Sequence, residues 1–206
     1  LPFVRHPESD YVLEEEWLFE AIAETYVPLI QVFEGLKREG IDFKITMSIT
    51  PPLLAMLRDE LLQDRFDKHL ALLQELSEKE VERHAHHGHL KYLAEHYVTL
   101  FQDVQKTWES YDRDLITAFK KFQDSGNLEI ITCGATHGYF PLMKMYPEAV
   151  WAQIKVACDN YERNFGRPPR GMWVPECAYY EGLERIIADA GIRYFLSDGH
   201  GLLYGR

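Results

Sequence analysis

Gly171-Met172-Trp173-Val174-Pro175-Glu176-Cys177-Ala178-Tyr179-Tyr180 sets one carboxylate, Glu176, directly behind an apolar stretch too short for a helix and suited to a buried strand. Pro175 cannot donate a ladder hydrogen bond, so pairing stops there and Glu176 falls at the strand's carboxyl end. In parallel α/β architectures that end is where polar side chains meet ligands. Trp173, Tyr179 and Tyr180 give the carboxylate aromatic neighbours.

Outward from this stretch the chain alternates. Tyr194 to Ser197, Leu128 to Cys133 and Phe43 to Ile49 are short, β-branched or apolar runs bounded by turn residues and read as strands. Between them, Gly182 to Ala190 reads as a short helix stopped by Gly191, and Pro147 to Phe165 as a longer one ended by Gly166. Thr50 is the expected cap of a helix that starts on Pro51. Near the start, Ser9 or Asp10 is expected to cap a long helix. Its apolar positions Leu13, Trp17, Leu18, Ala21, Ile22 and Tyr26 recur every three or four residues, and Pro28 should kink it. From about 59 to 123 the pattern is helical and rich in charge, interrupted near Gly88, which predicts an inserted helical hairpin.

Strand and helix in alternation argue for parallel strands whose carboxyl ends share one rim. The strands then deliver to that rim, in chain order, Thr50, the loop Gly134 to Tyr139 containing His137, Glu176, and Asp198-Gly199-His200. Four polar groups converge there before any motif is assumed.

Composition narrows the partners. The 206 residues are 46% hydrophobic, enough for one domain or one part of a larger barrel. A formal charge of −11 without a Lys/Arg-rich run argues against nucleic acid and against an anionic membrane surface, both of which need a cationic face. No window approaches the ~18 apolar residues of a spanning helix. Cys133, Cys158 and Cys177 read as reduced, buried thiols of a cytoplasmic protein. His84, His86, His87 and His89 cluster at a glycine interruption between charged helices. No Cys or carboxylate completes a ligand set there, so the cluster reads as a solvated helix junction. No glycine run has phosphate-cradling spacing, and no cofactor is expected.

A carboxylate among aromatic rings suits glycosidic chemistry. One carboxylate attacks or stabilises the anomeric carbon, a second carboxylic acid protonates the leaving oxygen, and sugar faces stack on the rings. On residues alone, Asp198 is the natural partner of Glu176. Two other readings stay open: a metal-dependent carbohydrate hydrolase or deacetylase with His137, His200, Asp198 and Glu176 as ligands, and a non-catalytic glucan-binding protein.

WVPECAY around Glu176, CGATHGY around His137, the opening LPFVRHPE, MSITPPL at Met47 to Leu53 and the closing Ser197-Asp198-Gly199-His200 together resemble glycoside hydrolase family 57, above all its α-1,4-glucan branching and amylase-like members. The resemblance implies an incomplete (β/α)7 TIM-like barrel with parallel strands, truncated at both ends. Residues 1–206 would form part of the catalytic barrel, with 59–123 as a helical insertion. It implies retaining double displacement without a metal, acting in the cytoplasm on α-1,4-glucan such as glycogen, starch or maltooligosaccharide. Branching is the foremost activity and amylolysis the next. By position, Glu176 matches the nucleophile, His137 the histidine beside the cleaved sugar, and Trp173 a wall of the site; Asp198 and His200 resemble substrate contacts. A His-x-His strand precedes the LPF segment in the family, and its acidic aspartate lies on a later strand. The implied chain is therefore an internal fragment without its general acid, which moves Asp198 from acid to substrate contact.

Overall fold

The structure is a computed structural model that describes residues 2–204, with the side chains of residues 200–202 outside that description. In chain order it contains α1 (Leu13–Ala21), a π-helical turn (Ile22–Tyr26), α2 (Val27–Arg38), β1 (Ile45–Ser48), α3 (Pro51–Leu57), α4 (Glu60–Arg83), α5 (Gly88–Ser110) and α6 (Leu115–Asp124). The chain continues through β2 (Leu128–Cys133), α7 (Phe140–Met143), α8 (Pro147–Phe165), β3 (Gly171–Trp173), a 3-10 turn (Pro175–Cys177), α9 (Leu183–Asp189), β4 (Tyr194–Leu196) and α10 (Gly199–Tyr204). It divides into two compact units, Leu1–Asp42 with Met56–Lys121, and Phe43–Ala55 with Phe122–Arg206.

The first unit is helical. Leu18, Phe19, Val27, Ile30 and Phe33 are buried, as are Phe66, Leu70, Val104 and Trp108. Burying each such side chain contributes about 1.5–3 kcal/mol. The Phe66 ring meets Trp108 edge-on at 4.9 Å, and the Trp108 indole N–H donates to Asp67 Oδ1 at 2.8 Å, so the ring is buried without an orphaned donor. The stretch expected to be helical over 59–123 holds α4, α5 and α6, and as far as Lys121 it groups with the chain's first 42 residues.

One expectation for the first helix is corrected. It begins at Leu13 behind Val12, which makes no side-chain cap bond, and the Ser9 hydroxyl donates instead to the Tyr11 carbonyl at 2.9 Å. The cause lies one turn in. Glu15 is buried and takes both the His6 N–H, at 3.2 Å, and two contacts from Arg65, at 2.6 and 2.7 Å, which fixes the entering segment. At the expected kink, Pro28 follows a π turn and lies in the first turn of α2. The Val27 N–H bonds to the Ile22 carbonyl five residues back, and that wider turn relieves the crowding a proline ring imposes on the carbonyl four residues before it.

The second unit carries a four-stranded sheet, every neighbouring pair parallel, in the order β1-β2-β3-β4. β1 is shorter than the sequence suggests, because the Asn127 side chain engages the Phe43 carbonyl at 3.0 Å and the ladder starts at Ile45. Phe140, Val150, Ile154, Ala157, Met172, Val174, Leu183 and Ile187 form one buried cluster. α8 runs over its expected residues, and Gly166 closes it at φ 73°, a conformation that costs a glycine little. Among the described residues, no helix is long and apolar enough to cross a membrane.

Candidate active site

Register fixes the rim. Cys133 at the end of β2 pairs with Trp173 at the end of β3, and Trp173 with Leu196 at the end of β4, so three carboxyl ends lie level. The loop after β2 turns back at once, the His137 N–H bonding to the Gly134 carbonyl at 3.0 Å. Gln153 of α8 clamps it, accepting from the Thr136 N–H at 2.9 Å and donating to the Thr136 hydroxyl at 2.7 Å. Gly134 leaves little room there: a Cβ would stand 3.1 Å from the Phe140 ring and 3.3 Å from Pro175. After β3 the chain leaves in a 3-10 turn closed by the Cys177 N–H on the Val174 carbonyl, 2.9 Å.

These turns hold unusual backbone. His137, Glu176 and Cys177 have φ of 58°, 57° and 54°, three of the five non-glycine residues with positive φ among those described. Each such residue costs about 1–3 kcal/mol and persists only where its surroundings impose it, which is a mark of functional sites.

The strained residues meet. His137 Nε2 lies 3.0 Å from Glu176 Oε1, and its Nδ1 lies 3.2 Å from Cys133 Sγ. The two polar side chains stay open, 45% exposed for His137 and 71% for Glu176, whereas Cys133 is fully buried. Burial pushes the Cys133 thiol up to about 11; the Glu176 charge adds to this and the Gly134 N–H opposes it, so the thiol keeps its proton at neutral pH. The Cys177 thiol is also raised, first by desolvation and then by the charges of Asp198 and Glu176. An oriented, solvent-open carboxylate of this kind can attack an electrophilic carbon, accept a proton or stabilise a developing cation.

The other residues singled out by the sequence scatter around this pair. Trp173 is half-buried at the end of β3. Tyr179 stacks on Phe195 at 5.9 Å and donates to Glu184 at 2.8 Å, while the Lys144 ammonium sits 5.4 Å above the Tyr180 ring. Asp198 is exposed between β4 and α10. The side chain of His200 lies outside the described residues. Thr50 caps α3, its hydroxyl accepting from the Leu53 N–H at 3.4 Å. His84 pairs with Glu80 at 3.0 Å, and the junction of α4 and α5 is largely exposed. Among the described residues no group of three or more His, Cys, Asp or Glu side chains is arranged to hold a metal ion.

Two residues of this site were not read as such from the sequence. Cys133 stood as a buried thiol, although its place four residues before His137 across Gly-Ala-Thr was a usable signal. Gln153 carries none, because a polar residue inside a helix looks solvent-facing until the loop beside it is known.

Comparison with known proteins identifies the family. A family model described as Glycosyl hydrolase family 57 matches residues 1–205. The 1,4-alpha-glucan branching enzyme TK1436 of Thermococcus kodakarensis is 36% identical over 218 residues, an alignment covering 95% of this chain and 32% of that protein. The crystal structure of the alpha-amylase AmyC from Thermotoga maritima superposes with a TM-score of 0.95 at 46% identity, covering 99% of this chain and 39% of that one. A GH57-type branching enzyme from Pyrococcus horikoshii gives a TM-score of 0.88 at 36% identity, covering 95% and 39%. The chain thus spans between 32% and 39% of the length of these relatives.

Proposed function

We propose, from the premise that the chain belongs to glycosyl hydrolase family 57, that it is the nucleophile-bearing part of a retaining enzyme acting on α-1,4-glucans. Glu176 attacks the anomeric carbon and the glycosidic oxygen leaves with a proton from a carboxylic acid, giving a covalent glycosyl-enzyme. The hydroxyl of a second glucan chain then displaces Glu176 in branching, which we take as the foremost reaction, or water does so in hydrolysis. What carries the reading is the open carboxylate of Glu176 at a strand end, hydrogen-bonded to His137 at 3.0 Å.

Around it, His137 lines the subsite of the cleaved sugar, Trp173 supplies a wall, and Asp198 and His200 contact substrate. The metal-dependent alternative is set aside, since the relatives that match are branching enzymes and an amylase. Residues 1–206 are assigned to part of a catalytic (β/α)7 barrel, with 59–123 inserted. Supporting this is a strand order that steps one way without the reversal of a doubly wound sheet. Free thiols at Cys133, Cys158 and Cys177 suit a cytoplasmic setting.

Retaining enzymes hold two carboxyls about 5–5.5 Å apart. This reading puts the acid outside these residues, and loss of general acid catalysis typically costs ~10²–10⁴-fold. The 206 residues alone should therefore leave amylose unchanged in iodine staining and reducing-end assays; robust turnover would overturn the assignment of the acid. In an active protein containing this chain, Glu176→Gln should remove branching and hydrolysis together. Wild-type activity in that variant sinks Glu176 as nucleophile.

A further inference from the structure

The imidazole of His137 is held at both nitrogens, by the buried Cys133 thiol at 3.2 Å and by the Glu176 carboxylate at 3.0 Å. A carboxylate only accepts, so Nε2 must carry a proton, and a neutral ring then presents a bare lone pair at Nδ1. The group facing that lone pair is the Cys133 thiol, which remains protonated at neutral pH because burial raises it to about 11. We propose that Cys133 is a positioning residue: its S–H donates to Nδ1 of His137 and commits the imidazole to the tautomer whose Nε2–H donates a hydrogen bond to the Glu176 carboxylate.

The local chain is built for this contact. Four residues bring the ring back onto the strand end, through the turn from His137 N–H to the Gly134 carbonyl and the clamp of Gln153 on Thr136. His137 takes φ 58° to reach it, a strain an unanchored loop would relax. A half-turn of the ring would set carbon atoms against both the thiol and the carboxylate, so the two bonds together exclude the flipped orientation. Serine at 133 keeps an equivalent donor on a shorter side chain; alanine leaves Nδ1 without one.

The value of the device to catalysis rests on the nucleophile reading of Glu176, but its test does not. Nitrogen-15 spectra of the histidine-labelled chain at pH 8, with His137 assigned by His137→Gln, should show a pyrrole-type Nε2. Its Nδ1 should be pyridine-type and shifted upfield by an accepted hydrogen bond. Cys133→Ala should abolish that upfield shift and Cys133→Ser restore it. Glu176→Ala should leave it in place, since the thiol contact needs no carboxylate. A proton on Nδ1, or a His137 spectrum that Cys133→Ala does not change, overturns the proposal. Should Cys133→Ala fail to fold, Raman spectra of the wild type and Cys133→Ser decide. A thiol stretch displaced to low frequency and absent from the serine variant supports the contact, and a band at the free-thiol frequency overturns it. Neither readout requires turnover, so either result stands apart from the outcome of Glu176→Gln.

Discussion

A methyl group at Gly171 would stand 2.3 Å from Cζ of Tyr194, whose ring lies over the start of β3 and whose hydroxyl meets Glu129 at 3.2 Å. A ring pinned at its far end cannot retreat cheaply. Gly171→Ala is therefore expected to destabilise the protein by about 1–3 kcal/mol, the usual cost of forced overpacking. Urea denaturation should show a lower midpoint at unchanged m-value, and an unaltered midpoint would show that Tyr194 moves freely. Gly171 opens the decisive sequence run, yet its steric role could not be read there, because Tyr194 lies 23 positions on and reaches it only through the β3–β4 register. Glu176 was easier to single out. A proline stop and a strand end are local signals, whereas Cys133 and Gln153 acquire their parts only when loop, strand and helix are assembled.

Between elements, the buried Glu15–Arg65 pair ties α1 to α4 and to the segment before α1. Arg65 also donates to the carbonyls of His6, at 3.2 Å, and Ser9, at 2.5 Å. Glu15 is 2% exposed, so removing its partner strands a charge away from water. Arg65→Met should cost roughly 3–5 kcal/mol, and the double variant Glu15→Leu/Arg65→Met should recover the part due to the stranded charge but not the bonds to the His6 N–H and to the His6 and Ser9 carbonyls. A thermal or urea melt of the three proteins checks this; a double variant no better than the single would place the cost in lost packing and backbone hydrogen bonds instead of the stranded charge. This pair also explains why the start of α1 was misread. Local capping preference favoured Ser9 or Asp10, but a contact with Arg65, 50 residues away in sequence, sets the entry. β2 and α8 were legible to the residue, since turn chemistry at Asn127 and Gly166 bounds them locally, and β1 was not, since Asn127 trims it from a distance.

For the molecule as a whole, desolvation makes a set of thiols and phenols among the described residues hold their protons harder. Cys133 and Cys158 are raised to about 11 and Tyr194 to about 12, with Tyr26 and Tyr161 raised as well, each chiefly by desolvation. In the unfolded chain the thiols lose their protons near the ordinary value of 9.0. Above that pH the unfolded state binds fewer protons than the folded one, so stability falls as pH rises. The contribution of the two thiols is complete below about 9 and is lost by about 11, and that of Tyr194 fades between its ordinary 10.0 and about 12. Cys158 isolates the effect, being buried on α8 and outside the His137–Glu176 and His137–Cys133 contacts. Cys158→Ala should be less stable than the wild type at pH 7, through lost packing and the thiol's burial as a neutral group. That gap should narrow steadily from pH 9 to 11 as the wild-type thiol ionises on unfolding. Urea midpoints of both proteins across this range measure the gap directly. A gap that stays constant through pH 11 would mean the Cys158 thiol titrates alike in both states and that its burial carries no electrostatic penalty.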